Sequence, residues 1–134
     1  MTNRELAQLA LSARELSYCP YSGYAVGAAL YTASGKVYLG ANIENASFTP
    51  TVCAERTAIF RALLDGERTF VKIAVAGGKA GEPPKDFFPP CGVCRQVMAE
   101  FCEGDFEIVL VGHDTHKSVR LSDLLPFGFS KDSL

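Results

Sequence analysis

The sequence of 134 residues contains no tryptophan, only two methionines and only two histidines. It also lacks any apolar run near the ~18 residues needed to cross a bilayer, so no membrane-spanning helix and no membrane partner are predicted. The first residues are polar and typical of a helix, which gives no indication of a secretory signal. From these absences we expect a cytoplasmic protein.

No long stretch of the chain carries charge of a single sign. Thirteen basic and fifteen acidic side chains give a formal net charge of −2. A protein that grips nucleic acid normally shows a basic stripe or patch. Because such a stripe is missing, we predict that a polynucleotide is not the substrate.

The length is that of one domain, and a hydrophobic content of 48% is enough for a real core. Thr2 and Glu5 form a capping-box pattern that predicts a helix start. Apolar runs on either side of the turn at residues 33–36 predict a hairpin. Helical and strand patterns then alternate, which predicts one α/β domain over residues 1–134, with a mixed central sheet and helices packed on its faces.

The individual elements follow from periodicity and from turn residues. The predicted strands cover residues 25–32, 37–40, 71–76 and 106–111, with a further short strand over 119–121. The predicted helices after the first cover residues 54–64 and 92–101. Residues 77–90, rich in glycine and proline, are predicted to be a loop, and Ser122 is predicted to cap a last helical turn that Pro126 interrupts.

The chain has five cysteines, and an odd number in an intracellular protein argues against a disulfide framework and for metal ligation. Three of them fall in two motifs, C-x-E at residues 53–55 and P-C-x-x-C at residues 90–94. Cys19 and Cys102 have no motif partner, and we predict ordinary packed side chains for both.

The two motifs offer three thiolates to one metal ion and place a carboxylate beside them. Structural zinc sites usually have four protein ligands, whereas catalytic sites keep one position open for water. The signature of zinc deaminases combines H-x-E with P-C-x-x-C, and a third cysteine replaces the histidine in some of them. We therefore predict a catalytic Zn²⁺ held by Cys53, Cys91 and Cys94, with Glu55 as the residue that carries protons between water, base and leaving ammonia.

Helix geometry limits how these residues reach one metal. Cys91 and Cys94 are three apart at a predicted helix start, so their sulfurs lie on one side. Cys53 and Glu55 are two apart, which is about 200° around a regular helix. Both can face the metal only if Cys53 lies at or next to the N-cap, where free N–H groups favour a thiolate.

Three thiolates on one Zn²⁺ sum to a negative charge, which weakens the metal as a Lewis acid. Arg56 follows Glu55 directly and has donors that can withdraw charge from sulfur. We predict that Arg56 donates a hydrogen bond to at least one ligand sulfur, the alternative being an exposed arginine on a helix surface. For Arg95 a structural role is predicted.

Over about residues 21–129 the chain resembles the short, homotetrameric cytidine deaminases. The matching stretches are residues 20–22 with 26–30, 42–46, 53–58, 90–97 and 124–126. The resemblance implies the three-layer cytidine deaminase-like α/β fold, a mixed central sheet with helices on both faces. It also implies zinc-dependent hydrolytic deamination of cytidine and 2′-deoxycytidine to the uridines, with release of ammonia, in pyrimidine salvage.

The resemblance further implies how the nucleoside is held. Asn42 and Glu44 correspond to residues that bind the ribose 3′-hydroxyl, although Asn42 by itself would be interpreted as a turn residue. Ala54 corresponds to a residue whose backbone groups face the base. Tyr24 stands where an aromatic ring, most often phenylalanine, packs on the nucleoside.

The resemblance also implies that subunits share their sites. A phenylalanine from a neighbouring subunit covers the base in this family, and Phe129 fits its register best, with Phe127 as the competing candidate. Phe48 stands where tyrosine is frequent, so a hydroxyl contact between subunits is expected to be missing. Sharing of this kind predicts a homotetramer without an active monomer.

Two other functions fit parts of the sequence. A deaminase of a modified cytosine nucleoside antibiotic would share the zinc motifs and the size, but the run at residues 42–45 favours an unmodified ribonucleoside. A structural zinc in a non-enzymatic binding module would need His113 or His116 as the fourth ligand, and it would leave Glu55 without a purpose.

Overall fold

A computed structural model describes every residue from 1 to 134. The α-helices are α1 (Asn3–Ala13), α2 (Ala54–Leu64), α3 (Gly92–Phe101) and α4 (Leu121–Leu124). The strands are β1 (Tyr24–Thr32), β2 (Val37–Ala41), β3 (Phe70–Lys79), β4 (Glu107–Val111) and β5 (His116–Arg120), and short 3-10 turns cover Arg14–Leu16 and Lys131–Ser133. None of the helices combines the length and the apolar character that a bilayer crossing requires.

The five strands form one sheet in the order β2-β1-β3-β4-β5. β3 and β4 run parallel, and the other three pairs are antiparallel. A parallel pair needs a crossover between its strands, and the chain makes this crossover through α3. The predicted mixed sheet is therefore confirmed.

Alternate residues of the central strands face opposite layers, as the two-residue period of a strand requires. One set packs with α1 in a small core: Ala29, Ala74, Ala76, Val109 and Val111. The other set packs with α2 and α3 in the larger core: Val26, Ala28, Leu30, Ile73, Val75, Ile108 and Leu110. The three-layer α/β fold with helices on both faces is confirmed.

Gly40 allows α2 to lie directly on β2. A Cβ added at this position would overlap the carbonyl oxygen of Ala54 and would lie 2.5 Å from the Ala58 nitrogen. No other residue type fits so close an approach of helix and strand. The first turn of α2, which carries the C-x-E motif, is therefore seated against the sheet.

Most predicted elements match the structure within one or two residues. The capping box at the start of α1 is present, with the Glu5 nitrogen donating to Thr2 Oγ1 at 3.1 Å. β3 is longer than predicted, because its pairing with β1 continues to Lys79 opposite Tyr24.

The prediction for the last strand and its cap is wrong. The strand is already formed at His116, where pairing with Val111 of β4 brings a polar segment into the sheet. Ser122 lies inside α4 and is not its cap. The helix starts after Arg120, whose nitrogen donates to Asp123 Oδ2 at 3.0 Å.

Candidate metal centre and substrate cleft

The three motif cysteines lie where the N-termini of α2 and α3 meet. Cys53 is the N-cap of α2 and Cys91 is the N-cap of α3, and both have extended backbones with ψ of 159° and 167°. Cys94 is the third residue of α3. The predicted position of Cys53 outside the helical turn is confirmed, and it lets Cys53 and Glu55 face the same cleft.

The spacing of the three sulfur atoms fits one metal ion. All three Sγ atoms lie within 4.8 Å of one another, and those of Cys53 and Cys94 each lie 3.5 Å from that of Cys91. A tetrahedral zinc with Zn–S bonds of ~2.3 Å holds its sulfurs ~3.8 Å apart. Neither His113 nor His116 belongs to the group, so a structural site would lack its fourth ligand.

The pKa values of Cys53 and Cys94 are shifted in opposite directions. A hydrogen bond from Cys94, helped by Arg56, lowers the pKa of Cys53 to about 5 even though burial opposes this shift. The same hydrogen bond, together with burial, raises the pKa of Cys94. A thiolate is thus favoured at Cys53, and binding of a cation would release the protons that remain on its partners.

Glu55 is the second residue of α2, and its side chain is almost completely buried. Only 3% of the residue is exposed, and Oε1 has no hydrogen-bond partner. Burial, and then the negative charge at Cys53, raise the pKa of this carboxyl to about 7. A buried carboxylate oxygen without a partner is costly, so its retention beside the thiols indicates a ligand or a reacting water in the cleft.

Arg56 reaches back toward the sulfurs. Its Nη2 lies 3.4 Å from Cys53 Sγ, and the residue is half-buried, so the predicted contact is present and the exposed alternative is wrong. Although burial alone would lower the pKa of Arg56, its hydrogen bonds to Cys53 and Cys94 raise it. The effect of this contact on zinc stays a prediction.

Arg95 donates its side-chain hydrogen bonds to backbone carbonyls. Its Nε donates to the Pro90 carbonyl and its Nη1 to the Leu124 carbonyl, both at 2.7 Å. These bonds fasten the segment before Cys91 to the end of α4, which agrees with the structural role predicted for Arg95.

A cleft of about 350 Å³ opens beside the thiols. Its lining includes Cys53, Ala54, Glu55 and Cys91 from the metal centre, together with Ser22, Tyr24, Val26, Asn42, Glu44, Thr51, Val52, Phe88 and Pro89. The volume lies within the range of small-molecule sites. Every substrate-contact residue predicted for this chain's own cleft, namely Tyr24, Asn42, Glu44 and Ala54, therefore lies on one surface with Cys53 and Cys91.

Asn42 is fixed by the start of β1 and is not a turn residue. Its Oδ1 accepts from the Val26 nitrogen at 3.0 Å and from the Ser17 hydroxyl, and its Nδ2 donates to the Tyr24 carbonyl at 2.9 Å. Nδ2 also lies 3.5 Å from Glu44 Oε2. This is the longer of the two bonds that the two N–H donors of the amide make, so it is the one that a ligand hydroxyl beside Glu44 would replace.

Glu44 is a preorganised acceptor. The nitrogens of Tyr21 and Ser22 each donate to its Oε1 at 3.1 Å, and the Ser22 hydroxyl donates to Oε2. These bonds, led by that of the Ser22 hydroxyl, lower the pKa of Glu44, so the carboxylate is ionised at neutral pH. Ser22 was missed as a site residue, because the sequence placed it in the matching stretch 20–22 without giving it a role.

The structure adds an aromatic side chain that the sequence did not identify. Phe88 lines the cleft and stacks on Tyr24, with ring centroids 6.4 Å apart and an angle of 26° between the planes. Residues 77–90 were predicted only as a loop. The available signal was a pair of phenylalanines in a polar loop just before a ligand motif.

The C-terminal phenylalanines do not join this cleft. Phe129 is 61% exposed, and its carbonyl accepts a bond of 2.7 Å from Gln96 Nε2. Phe127 is fully exposed, and so is most of Phe48. A contact of Phe129 with a nucleoside would therefore require a second subunit, which was the prediction.

Comparisons with known proteins agree with this geometry. Residues 1–110 match the family model described as the cytidine and deoxycytidylate deaminase zinc-binding region. A cytidine deaminase of Halalkalibacterium halodurans is 44% identical over the whole chain and 98% of its own length. One from Sporosarcina psychrophila is 45% identical over 91% of this chain and 87% of its own.

Solved structures give the same result. The crystal structure of cytidine deaminase from Burkholderia pseudomallei superimposes with a TM-score of 0.88 at 45% identity, covering 96% of this chain and all of the other. That of cytidine deaminase from Mycobacterium tuberculosis gives a TM-score of 0.81 at 34% identity, covering 96% of this chain and 98% of the other.

Proposed function

Since the chain belongs to the cytidine and deoxycytidylate deaminase family, we propose that it hydrolyses cytidine and 2′-deoxycytidine to uridine and 2′-deoxyuridine with release of ammonia. The observation that carries the proposal is the Glu55 carboxylate. It is buried, it has an unpartnered oxygen, and it lines the same cleft as Cys53 and Cys91. The names of the relatives favour a plain cytosine nucleoside over a modified antibiotic nucleoside.

The donor set fits zinc. Cys53, Cys91 and Cys94 would hold the ion, because three thiolates at this spacing leave one of four tetrahedral positions open. When bound, zinc supplies the Lewis acidity that makes water a nucleophile at neutral pH. Arg56, which contacts the Cys53 sulfur, offsets part of the thiolate charge.

Glu55 moves the protons of the reaction. Its carboxylate takes one proton from the attacking water and delivers it to N3 of the base, while the water oxygen bonds to C4. It then carries the second proton to the amino group, the C4–N bond breaks, and ammonia leaves. The balance is nucleoside plus water giving the uracil nucleoside plus ammonia, with Glu55 unchanged.

Asn42 and Glu44 orient the sugar. The Asn42 N–H that makes only the 3.5 Å bond to Glu44 and the ionised Glu44 carboxylate form a donor and acceptor pair suited to a hydroxyl. We assign this pair to the 3′-hydroxyl, which both nucleosides carry. Backbone groups of Ala54 serve the base, and the Tyr24 ring packs on the nucleoside.

The enzyme is proposed to act in pyrimidine salvage in the cytoplasm as a homotetramer, with Phe129 of one subunit covering the base bound to another. Two features support the shared site. The cleft is open to solvent, and Phe129 is exposed outside it.

The test is ultraviolet absorbance of cytidine and 2′-deoxycytidine with zinc-loaded protein. Glu55→Ala should keep its zinc and lose about 100-fold or more of kcat, since the proton carrier is gone. Glu100→Ala, which removes an exposed carboxylate of α3, is the matched control and should behave as wild type.

Two outcomes would contradict the proposal. If zinc-loaded wild type leaves both nucleosides unchanged, the substrate assignment is wrong. If Glu55→Ala turns over as fast as Glu100→Ala, the central role of Glu55 is wrong.

A further inference from the structure

The ring of Phe88 packs directly on the backbone of Gly77, in space that the side chain of any other residue would fill. It lies in the loop between β3 and α3, and a Cβ added at Gly77 of β3 would come within 2.5 Å of Phe88 Cγ and 2.6 Å of its Cδ1. Real Cβ atoms do not approach a ring so closely, so the missing side chain at Gly77 is what lets Phe88 rest on the strand.

The same ring is held from a second direction by the chain itself. Phe88 is followed by Pro89 and Pro90, whose fixed φ angles stiffen the link to Cys91. Pro90 is buried, and its carbonyl accepts the 2.7 Å bond from Arg95 Nε. Phe88 is therefore attached rigidly to a predicted metal ligand.

Phe88 meets Tyr24 across the cleft wall. The centroid distance of 6.4 Å and the interplanar angle of 26° are those of an offset stack, a favourable arrangement for two aromatic rings. Tyr24 is the first residue of β1 and is 43% exposed, and the stack with Phe88 restricts where its ring can lie. Both rings line the cleft that also contains Glu55 and Cys53.

We propose that Phe88 is a positioning residue for the nucleoside: with Tyr24 it forms one continuous aromatic wall against which the substrate packs. The inference rests on the proposed nucleoside deamination and adds a residue to it. Packing on a wall of this kind is made equally in the ground state and in the transition state. It therefore sets KM and leaves kcat nearly unchanged.

The first experiment measures kcat and KM for cytidine with Phe88→Ala and Phe88→Leu. Phe88→Ala should raise KM about tenfold, the scale of one lost aromatic stack. The change in kcat should stay within about threefold, as expected for uniform binding. Phe88→Leu keeps apolar bulk without a flat ring and should give a smaller rise in KM.

Phe87→Ala is the matched control. Phe87 is the adjacent phenylalanine, its ring lies near Gly112, and it does not line the cleft. Its KM should equal that of wild type. Equal KM increases for Phe87→Ala and Phe88→Ala would indicate general loosening of the loop and would overturn the inference.

Two further variants test the wall without relying on Phe88→Ala alone. Gly77→Ala keeps the phenylalanine at position 88, but the added methyl group occupies the space in which its ring packs. The ring is displaced, so KM should rise as it does for Phe88→Ala. The double variant Tyr24→Ala with Phe88→Ala should raise KM by less than the product of the two single effects, because the rings act as a unit. Independent, multiplicative effects would show two separate contacts and no common wall.

The absence of tryptophan gives a readout that does not depend on turnover. In a Glu55→Ala background, Phe88→Trp would be the only tryptophan of the chain, and cytidine should change its fluorescence saturably. If wild type deaminates cytidine, but the Phe88 variants leave KM unchanged and cytidine leaves the fluorescence unchanged, the proposed aromatic wall is wrong and the proposed deamination stands. If fluorescence responds but wild type shows no turnover, the proposed reaction is wrong and the wall stands. If neither occurs, both proposals are overturned.

Discussion

Two adjacent side chains on the first turn of α2 keep a buried polar atom without a partner, Glu55 Oε1 and Arg56 Nε. Such atoms lower the stability of a fold, each by roughly 1–3 kcal/mol. Both residues adjoin the metal centre, since Glu55 lines the cleft and Arg56 contacts the Cys53 sulfur. When buried polar atoms without partners occur together at one place in an otherwise well-packed chain, that place is typically a functional site.

At the residue scale we predict that Arg56→Gln weakens both zinc retention and turnover. Glutamine can still donate a hydrogen bond, but it carries no positive charge to offset three thiolates. The loss should be about 10- to 100-fold, as for other residues that support a metal ligand. The rate of zinc release to a chelator measures the loss of zinc retention, and kcat measures the loss of turnover.

Arg4→Gln, which changes an exposed arginine of α1, is the control for that measurement. The prediction fails if Arg56→Gln retains zinc and turns over as well as Arg4→Gln does.

At the scale of elements, the site depends on how the helices are fastened to the sheet. Gly40 seats α2, and the bonds of Arg95 hold the segment before α3. On the opposite face, Glu107 of β4 accepts from Asn3 Nδ2 at 2.7 Å and from Ser118 Oγ at 2.6 Å. Glu107 thus ties the start of α1 to the edge of the sheet.

This tie predicts a pH dependence of stability. The bond from Ser118, then that from Asn3, lower the pKa of Glu107 below its ordinary value of 4.5. A carboxyl whose pKa is lower in the folded state stabilises the fold above its unfolded value, and the gain disappears as the pH falls through the folded value. The free energy of unfolding of wild type should therefore fall more steeply than that of Glu107→Gln as the pH drops from above to below about 4.5.

Urea unfolding at a series of pH values checks the prediction, with Glu100→Gln as an exposed carboxylate of similar size. Parallel pH curves for wild type and Glu107→Gln would show that the tie contributes nothing.

At the scale of the whole molecule, one chain leaves several large apolar side chains in solvent. Leu64 is 90% exposed, Phe48 85% and Phe129 61%, and Phe127 is fully exposed. Three of these four side chains are phenylalanines, and aromatic side chains are enriched in the buried cores of protein–protein interfaces. This agrees with the proposal that the active unit is an assembly whose cleft is completed by a neighbour.

We predict that activity is lost when the assembly dissociates on dilution.

Phe129→Ala should raise KM for cytidine about tenfold without loss of zinc, since one base stack is removed. Phe127→Ala is the matched comparison and should leave KM unchanged. Sedimentation together with kinetics on the same samples measures both effects.

An active monomer would contradict the shared site. A KM increase confined to Phe127→Ala would move the covering ring from Phe129 to Phe127.

The sequence by itself determined the chemistry of the centre and most of the elements. Ligand spacing is a local property: Cys91 and Cys94 are three positions apart and Cys53 and Glu55 two positions apart, which already dictates helix starts and an N-cap. Capping and periodicity are local too, so the start of α1 and both ends of α2 and α3 were predicted correctly.

Only the tertiary structure decided which strands pair and which distant side chains come into contact. β5 forms because β4 offers free backbone groups to a polar segment, which no periodicity in residues 116–120 reveals. Phe88 joins the cleft because Gly77, eleven residues earlier and on another element, leaves room for its ring. The partners of Asn42 likewise come from β1. These contacts join residues that are distant in the chain, and the physical reason is that packing space and unpaired hydrogen-bonding groups exist only after the layers have come together.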